Sequence, residues 1–93
     1  MDINNFINGM KRHCTTFGFK EIDYNFYRRN AKGNLGDVYL IFSDSYLVFY
    51  TADTSVHMTY DDILYNLKLN IANHLEGFNE RTIFSQALEL LRK

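Results

Sequence analysis

The sequence predicts an α+β fold in two layers: a helix, an antiparallel meander of three or four strands, then two helices. Three observations carry that reading. Apolar residues recur at three- and four-residue spacing near the start and in the last third of the chain. Between these regions they alternate with polar residues or form short apolar runs, and clusters of Gly, Asn, Asp and Ser separate the runs. At 93 residues with 46% hydrophobic and 23% charged positions, the chain has material for one core and is expected to form one domain over residues 1–93.

In chain order, Ile3, Phe6, Ile7, Met10 and Cys14 form a helical stripe over residues 2–14, with Asp2 placed to cap it and Gly9 weakening it. From Phe17 the period becomes two. Ile22, Tyr24 and Phe26 alternate with Glu21, Asp23, Asn25 and Tyr27, which predicts a single half-buried strand. The segment RRNAKGNLG is a turn, with Gly33, Asn34 and Gly36 able to take positive φ. GDVYLIFSDSYLVFYT then supplies two strands and a tight turn, and Ser55 to Thr59 a short fourth strand. Thr59 is placed to cap a second helix, because Asp61 and Asp62 fall in its first turn. Its stripe is Ile63, Leu64, Leu67, Ile71 and Leu75, and Gly77 stops it. The last helix runs from about Glu80 to Arg92, with Ile83, Phe84, Ala87, Leu88 and Leu91 inward.

Strand register assigns the faces, since a slip of one residue exchanges them. Pairing Phe42 with Leu47, Phe26 with Leu40, Tyr24 with Phe42 and Phe49 with Met58 places Ile22, Tyr24, Phe26, Val38, Leu40, Phe42, Leu47, Phe49 and Met58 toward the helices. The opposite face is then Glu21, Asp23, Asn25, Tyr27, Tyr39, Ile41, Tyr46, Val48, Tyr50 and His57, with His57 beside Tyr50. That face is amphipathic. Tyrosine packs its ring while its hydroxyl stays wet, a combination favoured at protein interfaces.

The net charge of −1 conceals a partition. Residues 1–33 carry Lys11, Arg12, Lys20, Arg28, Arg29 and Lys32 against Asp2, Glu21 and Asp23, a net of +3. Residues 34–67 carry five aspartates and neither Lys nor Arg, a net of −5. Overall neutrality speaks against a general coat for nucleic acid, and the acidic middle favours a basic partner. With one cysteine no internal disulfide can form, so a reducing, cytoplasmic setting is expected. The N-terminal residues lack a secretory apolar core and no run approaches a membrane span, so no membrane partner is expected.

Chemistry is sparse. His13 and Cys14 are neighbours, and on a helix their side chains diverge by about 100°, which denies them a base and nucleophile geometry. Cys14 lies on the apolar stripe and is expected to be a small core residue. No His, Cys, Asp and Glu grouping has metal-ligand spacing, and no glycine-rich loop offers to cradle a phosphate, so neither catalysis nor a cofactor is expected.

The function this implies is non-catalytic binding of a protein, as a small inhibitor or adaptor of the immunity or anti-defence type that phages and mobile elements encode. Tyr27, Tyr39, Tyr46 and Tyr50 would be the aromatic anchors, with Glu21, Asp23 and Asp53 steering a basic partner such as a nucleic-acid-handling enzyme. A homodimer would use the same face. The alternative is a nucleic-acid-binding domain using Lys11 and Arg12 of the first helix with Arg28, Arg29 and Lys32 of the first hairpin loop. In topology alone, residues 2–76 resemble the double-stranded RNA-binding domain, in which the first helix, the first strand loop and the start of the second helix contact RNA. At that helix start the family carries lysines, whereas this chain has TYDDILYN.

Overall fold

The computed structural model describes residues 3–65 and 80–92, as helix α1 (Ile3–Cys14), strands β1 (Phe19–Asp23), β2 (Phe26–Arg29), β3 (Val38–Phe42), β4 (Tyr46–Tyr50) and β5 (Ser55–Thr59), a helical segment α2 over residues 60–65, and helix α3 (Glu80–Leu91). The strands form one antiparallel sheet in the order β1-β2-β3-β4-β5. The element order is the expected one, with five strands in place of three or four. The helix cap at Asp2, the stripe positions Leu67, Ile71 and Leu75, and the stop at Gly77 lie outside the described residues.

Helices α1 and α3 pack together on one face of the sheet. Helix α1 buries Phe6, Met10 and Cys14 of its apolar stripe, with Ile3 and Ile7 partly buried against them, and α3 buries Ile83, Phe84, Ala87, Leu88 and Leu91. Phe84 is the hub of the core: its ring stacks on Phe17 at 4.8 Å and meets Phe19 and Phe49 at 5.7 Å each. Burying such a ring stabilises by roughly 1.5–3 kcal/mol, and ring pairs add to it. The sheet's contribution to this core is Phe19, Tyr27, Val38, Leu40, Phe42, Leu47 and Phe49, all buried.

The turns explain why the strands stop where they do. After α1, the Phe17 amide donates to the carbonyls of His13 and Cys14, and Gly18, at φ 85°, turns the chain into β1. Between β3 and β4 the Ser43 amide and hydroxyl both donate to the Tyr46 carbonyl. Between β4 and β5 the Thr51 hydroxyl accepts from the amides of Asp53 and Thr54. Thr59 caps α2 as expected, its hydroxyl accepting the Asp62 amide at 3.2 Å.

The first hairpin differs from the expectation. Residues 19–29 are two strands and not one, because Tyr24 and Asn25 form a tight turn with Asn25 at φ 57°. Asparagine tolerates that left-handed backbone better than other side chains. The Asp23 carboxylate accepts the Tyr24 amide at 2.7 Å, and Lys11 Nζ donates to Asn25 Oδ1 at 2.6 Å. Beyond the turn, β2 pairs with β3 one residue away from the expected register, with Phe26 opposite Ile41 and Tyr27 opposite Leu40. That slip exchanges the faces of β2. Tyr27 and Arg29 join the core side, Phe26 and Arg28 the opposite side, while Ile22 and Tyr24, expected inside, are 51% and 82% exposed.

For β3 and β4 the expected pairing is observed throughout, with Leu40 opposite Phe49, Ile41 opposite Val48 and Phe42 opposite Leu47. Strand β5 sits two residues from its expected register, Met58 opposite Leu47 and Val56 opposite Phe49. A shift of two preserves the faces, so His57 remains on the outer side, opposite Val48.

Candidate functional site

The sheet face turned away from α1 and α3 is made by Phe26 and Arg28 from β2, Tyr39 and Ile41 from β3, Tyr46, Val48 and Tyr50 from β4, and His57 from β5. Among the described residues no helix crosses it. Its rings are ordered. Tyr39 and Tyr50 stack at 5.0 Å with 18° between planes, Phe26 lies 5.7 Å from Tyr39, and Tyr46 5.8 Å from His57. The 5.0 Å spacing is close to the roughly 4.8 Å between adjacent strands. Tyr39 and Tyr50 therefore stand up from the sheet face to face, and they present ring edges to the outside.

Charge is arranged around this face. Arg28 Nη2 donates to Asp37 Oδ2 at 2.5 Å while its guanidinium lies 5.9 Å from the Tyr39 ring centre. Asp37 also accepts the Ala31 amide at 2.7 Å. The Arg28 hydrogen bond, then the amide, hold the Asp37 carboxyl below the usual carboxylate range, and the same pairing raises the Arg28 guanidinium. Asp53 stands in the β4–β5 turn and Asp44 in the β3–β4 turn, so acids bound β4 at both ends. A cavity of about 950 Å³ beside Tyr39 and Tyr50 is lined by Asp37 and Asp53 among others.

Of the expected anchors, Tyr39, Tyr46 and Tyr50 share the outer face and Tyr27 does not. Tyr27 is 8% exposed, packed edge-on against Phe42 at 5.6 Å, and burial followed by the nearby Glu21 carboxylate pushes its phenol up to about 12. Glu21 lies opposite Tyr27 in the sheet, on the helix side, and Asp23 opposite Phe26 across the hairpin turn. Neither stands with Asp53. Phe26 and Arg28 are the face residues that the sequence reading missed. The signal available for them was the DYN triplet, a turn former inside an alternating run.

The expected nucleic-acid residues separate. Lys11 reaches across to Asn25 and the rings of Tyr24 and Phe42, 5.7 and 5.5 Å from their centres. Arg28, Arg29 and Lys32 line one hollow together with Lys20, at the other end of β2. Arg12 is exposed in the last turn of α1, where a cation favours the helix dipole.

The one cysteine is buried in the core. Cys14 is 1% exposed and burial pushes its thiol up to about 12, far from the thiolate a nucleophile requires. Among the described residues no group of three or more His, Cys, Asp and Glu is placed to hold a metal ion. Among them, too, no helix is long and apolar enough to cross a membrane. No family model, curated protein or solved structure matches the chain.

Proposed function

We propose that this chain is a non-catalytic protein-binding module, an inhibitor or adaptor, and that its outer sheet face is the docking surface. The observation that carries this reading is the upright ladder of Phe26, Tyr39 and Tyr50, continuous with Ile41, Val48 and Tyr46, on the side of the sheet away from the core. Tyr39 and Tyr50, stacked on each other, offer edges and hydroxyls to a partner, whereas bases intercalate onto free ring faces. That favours a protein over single-stranded nucleic acid.

Size and charge describe the partner. Five strands of four or five residues give a bare sheet of about 19 by 17 Å, short of the roughly 800 Å² that each side of a standard interface buries. Contact must extend onto the loops, and the loops next to Tyr39 and Tyr50 carry Asp37 and Asp53. Arg92 lines the same cavity, and with Asp37 paired to Arg28, Asp53 is its remaining acid to meet a cation. The partner is therefore a protein that sets an apolar patch on the ladder and a Lys or Arg at Asp53.

The test uses the tagged chain, the double variant Tyr39→Ala/Tyr50→Ala, Asp53→Asn and a control at the exposed α3 position Gln86→Ala. Expected is a partner, identified by mass spectrometry, that the wild type and Gln86→Ala retain, that the double variant loses, and that Asp53→Asn holds less well at moderate salt. The double variant should lose only about 1 kcal/mol of stability, since the core is untouched. A partner held equally by all variants would refute this assignment. So would a two-chain mass by light scattering that the double variant returns to one chain, which would make the face a homodimer surface instead.

A further inference from the structure

The one-residue register of β2 turns a charged side chain into the molecule. Arg29 stands opposite Phe19 and Val38, both essentially inaccessible, and is itself 8% exposed. Its Nη1 is sealed from solvent and has no hydrogen-bond partner among the described residues. Buried guanidinium groups are ordinarily paired, so an unpartnered Nη1 leaves this one short of an acceptor. The neighbouring charge offers no relief: Arg92 acts on it with the same sign, and Glu89 sits 3.7 Å from Arg92. Gly18, at φ 85°, brings its backbone against the Arg29 stem, where an added Cβ would sit 3.6–3.8 Å from Cγ, Cδ and Nε.

Arg29 lines a cavity of about 600 Å³, with Lys20 and Lys32, the hydroxyl residues Thr15 and Thr16, and an apolar wall that includes Phe17. Among the described residues no carboxylate lines it. Arg28 lies there as well, already paired to Asp37. We propose that this hollow binds the phosphate group of a small phosphorylated molecule, with Arg29, Lys20 and Lys32 as its cations and the body of the ligand against Phe17. Several cations and hydroxyl donors lining one hollow suit a group with three or more acceptor oxygens and up to two charges, and exceed what one carboxylate uses. The volume lies within the roughly 300–1,000 Å³ of small-molecule sites. A nucleic-acid backbone needs a track of cations, and Lys11 does not join one here: it is engaged with Asn25 at the far end of the hairpin. The hollow meets the outer face through Arg28 and includes none of its tyrosines, so the two proposals are tested separately.

Inorganic phosphate, adenosine monophosphate and a short duplex RNA are the probes, each titrated against the full chain with sodium chloride at matched ionic strength as reference. Expected is a melting temperature that rises with phosphate and more steeply with the nucleotide, and not with chloride. Lys32→Gln, an exposed substitution that leaves the core intact, should weaken nucleotide binding by about tenfold or more, and Lys11→Gln should leave it unchanged. Arg29→Met should abolish the phosphate response while the ligand-free protein melts no lower than wild type, because an unpaired buried charge has been removed. A response that chloride reproduces, or one that survives both Lys32→Gln and Arg29→Met, overturns the proposal. Binding confined to the duplex, steeply salt-dependent and sensitive to Lys11, overturns it in favour of a nucleic-acid surface.

Discussion

At the scale of single residues, Cys14 and Asp37 show how placement sets reactivity. The Cys14 sulfur lies in the α1 stripe against the core, and burial raises its thiol to about 12. Iodoacetamide at neutral pH should therefore modify native protein only as fast as the fold opens, and modify it at once in denaturant. Rapid labelling of the native chain would contradict the buried placement. Asp37 works in the other direction. Its folded carboxyl is held below the usual range by Arg28 and the Ala31 amide, so it stabilises the fold while the unfolded carboxylate would be ionised too. That stabilisation is present above the ordinary carboxylate value and disappears as pH falls through the lowered folded one, from about pH 5 downward. Urea melts across this range should show a flatter acid limb for Asp37→Asn than for wild type. An unchanged limb would mean the pairing is idle in solution.

At the scale of elements, the Tyr24–Asn25 turn decides what could be read from the sequence. Strands β3 and β4 were legible because SDS between two short apolar runs leaves one economical register, which separates the tyrosines from Leu and Phe; every expected pair of Phe42, Ile41, Leu40 and Tyr39 is observed. The α3 stripe was legible from its three- and four-residue spacing, and its five inward residues are all buried. The run Glu21 to Tyr27 alternates just as well, and alternation alone cannot reveal that Asn25 adopts φ 57°. Once that turn is missed the face of Tyr27 is inverted, which makes it read as an anchor, and RRNAKGNLG reads wholly as a loop, which makes Arg29 read as a surface cation although it ends β2. The tyrosines of β3 and β4 survive as face residues because their register does not depend on that turn. The turn's importance is measurable. Asn25→Ala should cost about 1–2 kcal/mol, through the left-handed backbone and the lost Lys11 hydrogen bond, and Asn25→Gly should cost less. Equal stability of the two variants would show that the backbone geometry carries none of the cost.

At the scale of the whole molecule, the charge partition of the sequence becomes a partition in space, with Lys20, Arg29 and Lys32 around one hollow and Asp53 beside the tyrosine ladder. The core between them has its own titration behaviour. Cys14 in α1, Tyr27 in β2 and Tyr60 at the start of α2 are buried and pushed up to about 12, each chiefly by loss of solvent. In the unfolded chain the same groups ionise near their ordinary values of 9 for the thiol and 10 for the phenols. Between those values and about 12 the folded state holds more protons than the unfolded state, so stability must fall as pH rises. The urea midpoint should be constant from neutral pH to about 9 and then decline, the thiol's contribution falling from about 9 and the phenols' from about 10. Cys14→Ala and Tyr27→Phe should each make the decline shallower, and the double variant shallower still, provided the two sites act independently. A midpoint that falls just as steeply in the double variant would assign the alkaline loss to surface charge instead, and would mean that α1 and β2 do not close over these groups in solution.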